Sequence, residues 1–256
     1  IIVGGGLNGS LLSIAAAQMG FSSIVLDSKK SHGSELNSFD GRSYALAASS
    51  VRLLKNLDIF KDIRNHAQPI LDIKILDGKL VQGSSQFSLH FDNNEIHDGP
   101  MGYMIEDRFI QKAIFAKILA TNQIDYSFNS KVTEHHRQGS YISVQLDNSK
   151  KLRTRLLVGA DGRNSELAKR SEIKKSGWQY KQNALVCAIE HEIDHKGLAW
   201  QYFLPSGPLA ILPMTGNRSS IVWTEQTRNA NAINALDDNQ YMDCLLYTSD
   251  AADDLL

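Results

Sequence analysis

Cysteine is scarce in this chain: Cys187 and Cys244 are the only two in 256 residues, far apart and without metal-ligand spacing. That excludes a disulfide framework and suits a reducing compartment. No apolar run approaches the roughly 18 residues of a membrane-spanning helix, and no secretory leader is recognisable. Net charge is nearly absent at −1, so neither a basic face for nucleic acid nor an acidic tail for a basic partner is expected. Repeats and low-complexity tracts are missing. The expectation is a soluble cytoplasmic protein, with peripheral membrane contact left open. The length is enough for two domains of moderate size.

What is present begins at the first residue. Ile1-Ile2-Val3 is an apolar strand running into Gly4, Gly6 and Gly9, the G-x-G-x-x-G spacing that brings a backbone close to a pyrophosphate. Gly4 allows the tight turn, Gly6 leaves room for phosphate oxygens, and Gly9 lets the following helix pack on its strand. That helix offers free N–H groups and a positive dipole end to the anion. Leu11, Leu12, Ile14, Ala15 and Ala16 supply its apolar face, and Gly20 ends it. Ser23 to Leu26 reads as a second strand ending in Asp27, roughly 20 residues on, where a carboxylate meets ribose hydroxyls.

Ser28 to Asn37 reads as a polar loop. Arg42 follows in a glycine-flanked turn; such a guanidinium reaches phosphate or a flavin edge, or is a solvated surface arginine. Ser49 is a candidate cap for a helix carrying Val51, Leu54 and Leu57. From Pro69 the texture turns antiparallel, with Ile70 to Leu76, a turn at Asp77-Gly78, and Phe87 to Phe91. Asp107 opens a helix burying Phe109, Ile110, Ala113, Ile114 and Ile118. Lys131 to Glu134, Tyr141 to Leu146 and Lys151 to Val158 read as a three-stranded meander. The last strand empties into Gly159-Ala160-Asp161-Gly162, where Asp161 either meets a ligand or caps the next helix. Four more strands follow, at Ala184 to Ile189, Ala199 to Phe203, Leu209 to Pro213 and Ser219 to Glu225. Leu209, Ala210, Ile211, Leu212 and Met214 are either the wall of an apolar pocket or plain core strand.

His191-Glu192-Ile193-Asp194-His195 spells H-E-x-x-H, the pattern of zinc hydrolases in which two imidazoles share one helical face. It follows an apolar strand and runs into Lys196-Gly197, so a strand end and turn are expected there, with no metal.

Three elements together resemble the ubiquinone-biosynthesis hydroxylases of the FAD-dependent aromatic hydroxylase superfamily. They are the opening glycines with Asp27, the run Asp40-Gly41-Arg42-Ser43-Tyr44-Ala45-Leu46, and Gly159-Ala160-Asp161-Gly162-Arg163-Asn164-Ser165. Gln201 to Pro213 and Ile221 to Thr224 are similar to the substrate-domain strands of the ubiquinone branch. The resemblance implies an α/β fold, with a Rossmann-like FAD-binding domain and an interleaved antiparallel substrate domain. Their boundaries are expected at 1–68 with 101–182, and at 69–100 with 183–243. It further implies that Gly4, Gly6 and Gly9 hold the FAD pyrophosphate, Asp27 the adenosine ribose, Arg42 the flavin or pyrophosphate side, and Asp161 with Gly162 the cofactor from the second turn. Arg108 and Gln111 are implied on the helix facing the cofactor.

The implied reaction is ring hydroxylation of a polyprenylated phenol, with NADPH or NADH as reductant and O₂ as oxygen donor; no side chain is singled out as catalytic. A reductase or halogenase of the same fold is the alternative, and a zinc hydrolase using His191, Glu192 and His195 a more distant one. Association with the inner membrane or a biosynthetic complex is open. Residues 244–256 continue no earlier pattern and are expected to be a non-native tail. A later glycine-aspartate motif of the family is expected to lie in a missing carboxyl-terminal part.

Overall fold

The computed structural model describes residues 1–30, 38–78, 84–95 and 99–250. Most of the loop expected over Ser28 to Asn37, the chain just after Gly78 and residues 251–256 lie outside the described residues.

In chain order, β1 (Ile2–Val3) enters the glycine turn, α1 (Leu7–Gln18) leaves it, and β2 (Ser23–Leu26) follows. Next come β3 (Ser43–Ala47), α2 (Ala48–Asn56) and α3 (Phe60–Ile63). The first antiparallel stretch forms β4 (Gln68–Ile70), β5 (Asp72–Gly78) and β6 (Ser84–Asp92). β7 (Gly102–Glu106) runs into α4 (Asp107–Leu119), then β8 (Ile124–Ser127). β9 (Val132–Gln138), β10 (Tyr141–Leu146), β11 (Lys151–Thr154), β12 (Val158–Gly159) and α5 (Glu166–Arg170) succeed it. The chain continues through β13 (Gln182–Glu190), β14 (Leu198–Leu204), β15 (Gly207–Met214) and β16 (Arg218–Gln226) into α6 (Thr227–Ile233) and α7 (Asp238–Asp250).

These elements divide into two units, each assembled from separate stretches. The first comprises Ile1–Asp40, Leu53–Arg64 and Arg108–Gly177; the second comprises Gly41–Arg52, Asn65–Asp107 and Trp178–Leu256.

The first unit holds a parallel sheet in the order β12-β1-β2-β8 and an antiparallel meander β11-β10-β9. The expected apolar face of α1 is only partly the buried one. Gly9, Ser10, Ser13, Ile14 and Ala17 face inward, while Leu12 is exposed. Small side chains at this spacing let the helix lie close to the sheet. Their hydroxyls are satisfied locally, Ser10 Oγ donating to the Gly5 carbonyl and Ser13 Oγ to that of Ser10. The run Lys151 to Val158, read above as one strand, divides. β11 pairs antiparallel with β10, whereas β12 pairs parallel with β1. Thr154 causes the break: its hydroxyl donates to the Leu156 carbonyl at 2.7 Å and accepts from the Leu156 N–H, a local turn that competes with the ladder.

The second unit is built on a six-stranded sheet, β13-β16-β15-β14-β5-β6, in which only β14 and β5 pair in parallel; β3-β7-β4 form a smaller sheet. Alternation along β15 decides its two-way reading. Leu209 is buried with Leu185, Leu204, Ile221 and Trp223 beneath Ala230 of α6 and Leu245 of α7, and Ile211 packs on the same cluster. Leu212 instead packs toward Ile70, Met104 and Ala199. So β15 serves the helix-covered core with one face and a different environment with the other. Leu245, inside the stretch set aside as a tail, is a buried member of that core. No helix among the described residues is long and apolar enough to cross a membrane.

Candidate cofactor site

The β1–α1 turn shows what its glycines are for. Gly4 has φ +104°, and a methyl group there would land on the Ala160 carbonyl oxygen and within 2.7 Å of Asp161 N. A side chain at Gly9 would strike the Gly4 carbonyl oxygen. The glycine turn and the Asp161 turn are thus pressed backbone to backbone, joined by the Ala160 N–H donating to the Val3 carbonyl at 2.7 Å. Gly6 differs, because nothing among the described residues lies within 4 Å of where its Cβ would be. It is the N-cap of α1 without a side-chain cap, and no acid occupies the first turn of the helix. Among the described residues nothing accepts the first N–H groups of the helix, so they and a positive dipole end form a cradle suited to an anion. Gly5, Gly6, Leu7 and Ser10 line a pocket there together with Gln111, Ile114 and Phe115 of α4. The residues present fit a dinucleotide pyrophosphate.

The predicted site residues fare differently. Gln111 reaches this pocket, whereas Arg108, one turn earlier, lays its guanidinium 4.5 Å from the ring centre of Phe109. Asp161 is occupied with its own turn. Ser165 Oγ donates to one carboxylate oxygen at 2.5 Å and the Leu167 N–H to the other at 3.1 Å, while Ser165 caps α5 through the Ala168 N–H. Burial works to raise the Asp161 pKa, yet these donors outweigh it and hold the carboxyl below its usual range. The capping reading of that turn is thereby realised. Gly162 completes it with φ +84°.

Asp27 is buried, and its carboxylate is engaged inside the unit. Oδ1 accepts the Lys29 N–H at 3.0 Å, and Oδ2 lies 3.0 Å from the Tyr126 hydroxyl, which also lies 3.0 Å from the Gly5 carbonyl. Tyr126 thus ties the glycine turn to the acid at the end of β2. Burial first, then the charge of Asp27, pushes its phenol pKa well above the usual value. Sequence reading missed Tyr126, because its role depends on β8 pairing with β2 across about a hundred residues. The alternation of Ile124, Tyr126 and Phe128 with Asp125 and Ser127, just after α4, was the available signal. Tyr126→Phe is expected to destabilise the first unit by about 1.5 kcal/mol through loss of a hydrogen bond to a charged group. Urea unfolding checks this, and a variant as stable as wild type would mean that the phenol contributes nothing.

Within the second unit, Arg42 precedes β3 and not a free turn. Its guanidinium lies 3.1 Å from Asp107, whose side chain is 1% exposed against 55% for Arg42, and its carbonyl accepts the Asp107 N–H. Sequence reading also missed the neighbouring pair, Glu106 with Arg218 at 2.7 Å. The H-E-x-x-H segment forms the connection between β13 and β14, not a helix. His191 bonds the Ile193 carbonyl and Ser219, while His195 meets the Met214 and Gly216 carbonyls and accepts the Gly197 N–H. Both imidazoles serve the turn.

Comparison with known proteins gives the chain's relatives. The chain is 40% identical over 227 residues to ubiquinone hydroxylase UbiL of Rhodospirillum rubrum, covering 89% of this chain and 52% of that protein. It is 29% identical to 3-demethoxyubiquinol 3-hydroxylase of Escherichia coli, covering 87% of this chain and 56% of the relative. The chain thus spans about half the length of these relatives. In fold it is similar to P. aeruginosa PqsL crystallised with 2-aminobenzoylacetate, at TM-score 0.78 and 18% identity, over 96% of this chain and 66% of that one. Residues 1–251 match the family described as the FAD binding domain, and the chain belongs to that family.

Proposed function

We propose that the complete protein is an FAD-dependent monooxygenase that hydroxylates the aromatic ring of a polyprenylated phenol in ubiquinone biosynthesis, consuming NADPH or NADH and O₂. The observation that carries this reading is the 40% identity to a ubiquinone hydroxylase over 89% of the chain. FAD, when bound, supplies the redox and oxygen-activating chemistry. The chain's own residues bind and orient. Gly4, Gly6 and Gly9 with the α1 amino terminus take the pyrophosphate, and Gln111 donates or accepts beside it. Asp27, held by Tyr126 and Lys29, presents its remaining lone pairs to the ribose. The Asp161-Gly162 turn contributes backbone, since its carboxylate is committed to α5. Arg42, oriented by Asp107, supplies positive charge to the flavin or pyrophosphate. A polyprenyl tail would bring such an enzyme to a membrane surface or a biosynthetic complex.

The test is the complete protein with FAD, reduced nicotinamide, a polyprenylphenol and isotopically labelled O₂. One labelled oxygen atom should enter the ring, and strains blocked at successive hydroxylation steps should be rescued at one of them. Nicotinamide oxidation without label in the phenol, and no rescue, would reject the assignment. For Arg42, alanine substitution should weaken FAD binding about tenfold or more, or slow flavin reduction, in a protein that still folds but is less stable for the loss of the Asp107 partner. Loss of a charge-assisted hydrogen bond costs about 1.5–3 kcal/mol. Unchanged affinity and unchanged reduction kinetics would return Arg42 to the surface arginines.

A further inference from the structure

The six-stranded sheet of the second unit has a helix-covered face and, at its β5–β6 edge, an apolar patch on the other side. Ile73 lies opposite Phe91 and Ile75 opposite Leu89, so these four side chains share one face. Leu89 and Phe91 are 60% and 45% exposed, unusual for large apolar residues placed side by side. A cavity of about 400 Å³ opens beside them, lined by Ile73, Ile75 and Phe91 of the strands and by Pro100, Met101 and Ala48. Among the described residues, Arg52 is the one charged member of its lining.

We infer that this cavity receives the polyprenyl tail of the substrate, a site that rests on the hydroxylase reading for the identity of its ligand. Its volume lies within the roughly 300–1,000 Å³ of small-molecule pockets, whereas a protein partner would need a face of about 800 Å². The aliphatic and aromatic lining offers little to orient a polar ligand and much to a hydrocarbon. Exposed Leu89 prolongs the apolar surface past the cavity, so a chain longer than the cavity continues over it. The larger cavity of the first unit, about 700 Å³, makes a useful contrast, because Asp125, Arg153 and Arg155 line it and would have to be desolvated by a hydrocarbon.

Each buried methylene contributes about fourfold in affinity. The complete protein should therefore bind phenols bearing one, two and three isoprene units at least about tenfold more tightly per unit until the cavity is full. Ala48→Trp, which fills the cavity, and Phe91→Ser, at an exposed position, should flatten that gain. Both should leave FAD and the tailless phenol bound within about twofold of wild type. A farnesyl chain carrying a photoreactive diazirine should label the peptides containing Ile73, Phe91 and Met101. Labelling elsewhere, or a tail-length gain that survives both variants, would overturn the site. So would a dimer that dissociates in Phe91→Ser, since a second copy would then cover the groove. Labelling here without hydroxylation of any phenol would sink the hydroxylase reading and keep an apolar-chain site. Hydroxylation without tail discrimination would do the reverse.

Discussion

Gly6→Ala is expected to leave the protein folded and to weaken FAD binding about a hundredfold, whereas Gly4→Ala is expected to cost the fold itself at least about 3 kcal/mol. The two residues sit two apart in one turn and differ in what a methyl group would meet. Gly6 has φ −67°, which alanine adopts freely, and its Cβ would point into open space. That methyl would occupy the room left for phosphate oxygens, forfeiting one or two charge-assisted hydrogen bonds of about 1.5–3 kcal/mol each. Gly4 combines φ +104° with a collision against the backbone of Ala160 and Asp161, which no rotamer change relieves. Thermal unfolding together with FAD titration of the complete protein separates the outcomes. Wild-type FAD affinity in Gly6→Ala would remove the phosphate from Gly6, and wild-type stability in Gly4→Ala would mean that the two turns need not touch.

Much of this site was legible in the sequence because its determinants are local. Glycines at fixed offsets after an apolar strand report backbone geometry directly, and period-two alternation located the strands of the second unit. Alternation alone did not say which face was core. Leu209 and Ile211 were separated from Leu212 only by the placement of α6 and α7, which depends on the whole sheet. The break between β11 and β12 was hidden because Thr154 makes a turn through its side chain without any glycine or proline to announce it. Asp161 was ambiguous for a different reason: a carboxylate ahead of a helix looks the same whether it caps or binds. The long-range partners were beyond reach. Nothing near Asp27 names Tyr126, and nothing near Glu106 names Arg218, 112 residues away.

That last pair carries the other large effect. Glu106 ends β7 with its side chain 3% exposed, and Arg218 begins β16 with 29% exposure, their atoms 2.7 Å apart. Arg218 also donates to the Thr215 carbonyl and hydroxyl, so its fork is fixed by a turn before it meets the acid. Arg218→Met should destabilise the protein by about 3 kcal/mol, because it takes from a buried carboxylate the guanidinium that offsets its desolvation. Glu106→Gln should cost less, about 1 kcal/mol, since a partly exposed arginine regains water and the amide oxygen still accepts a hydrogen bond. The double variant should then be more stable than Arg218→Met alone, a sign opposite to additivity. Urea unfolding of the four proteins measures the cycle. Equal losses in both single variants, adding in the double, would show that the attraction between the two charges contributes nothing and that each residue acts through its packing alone.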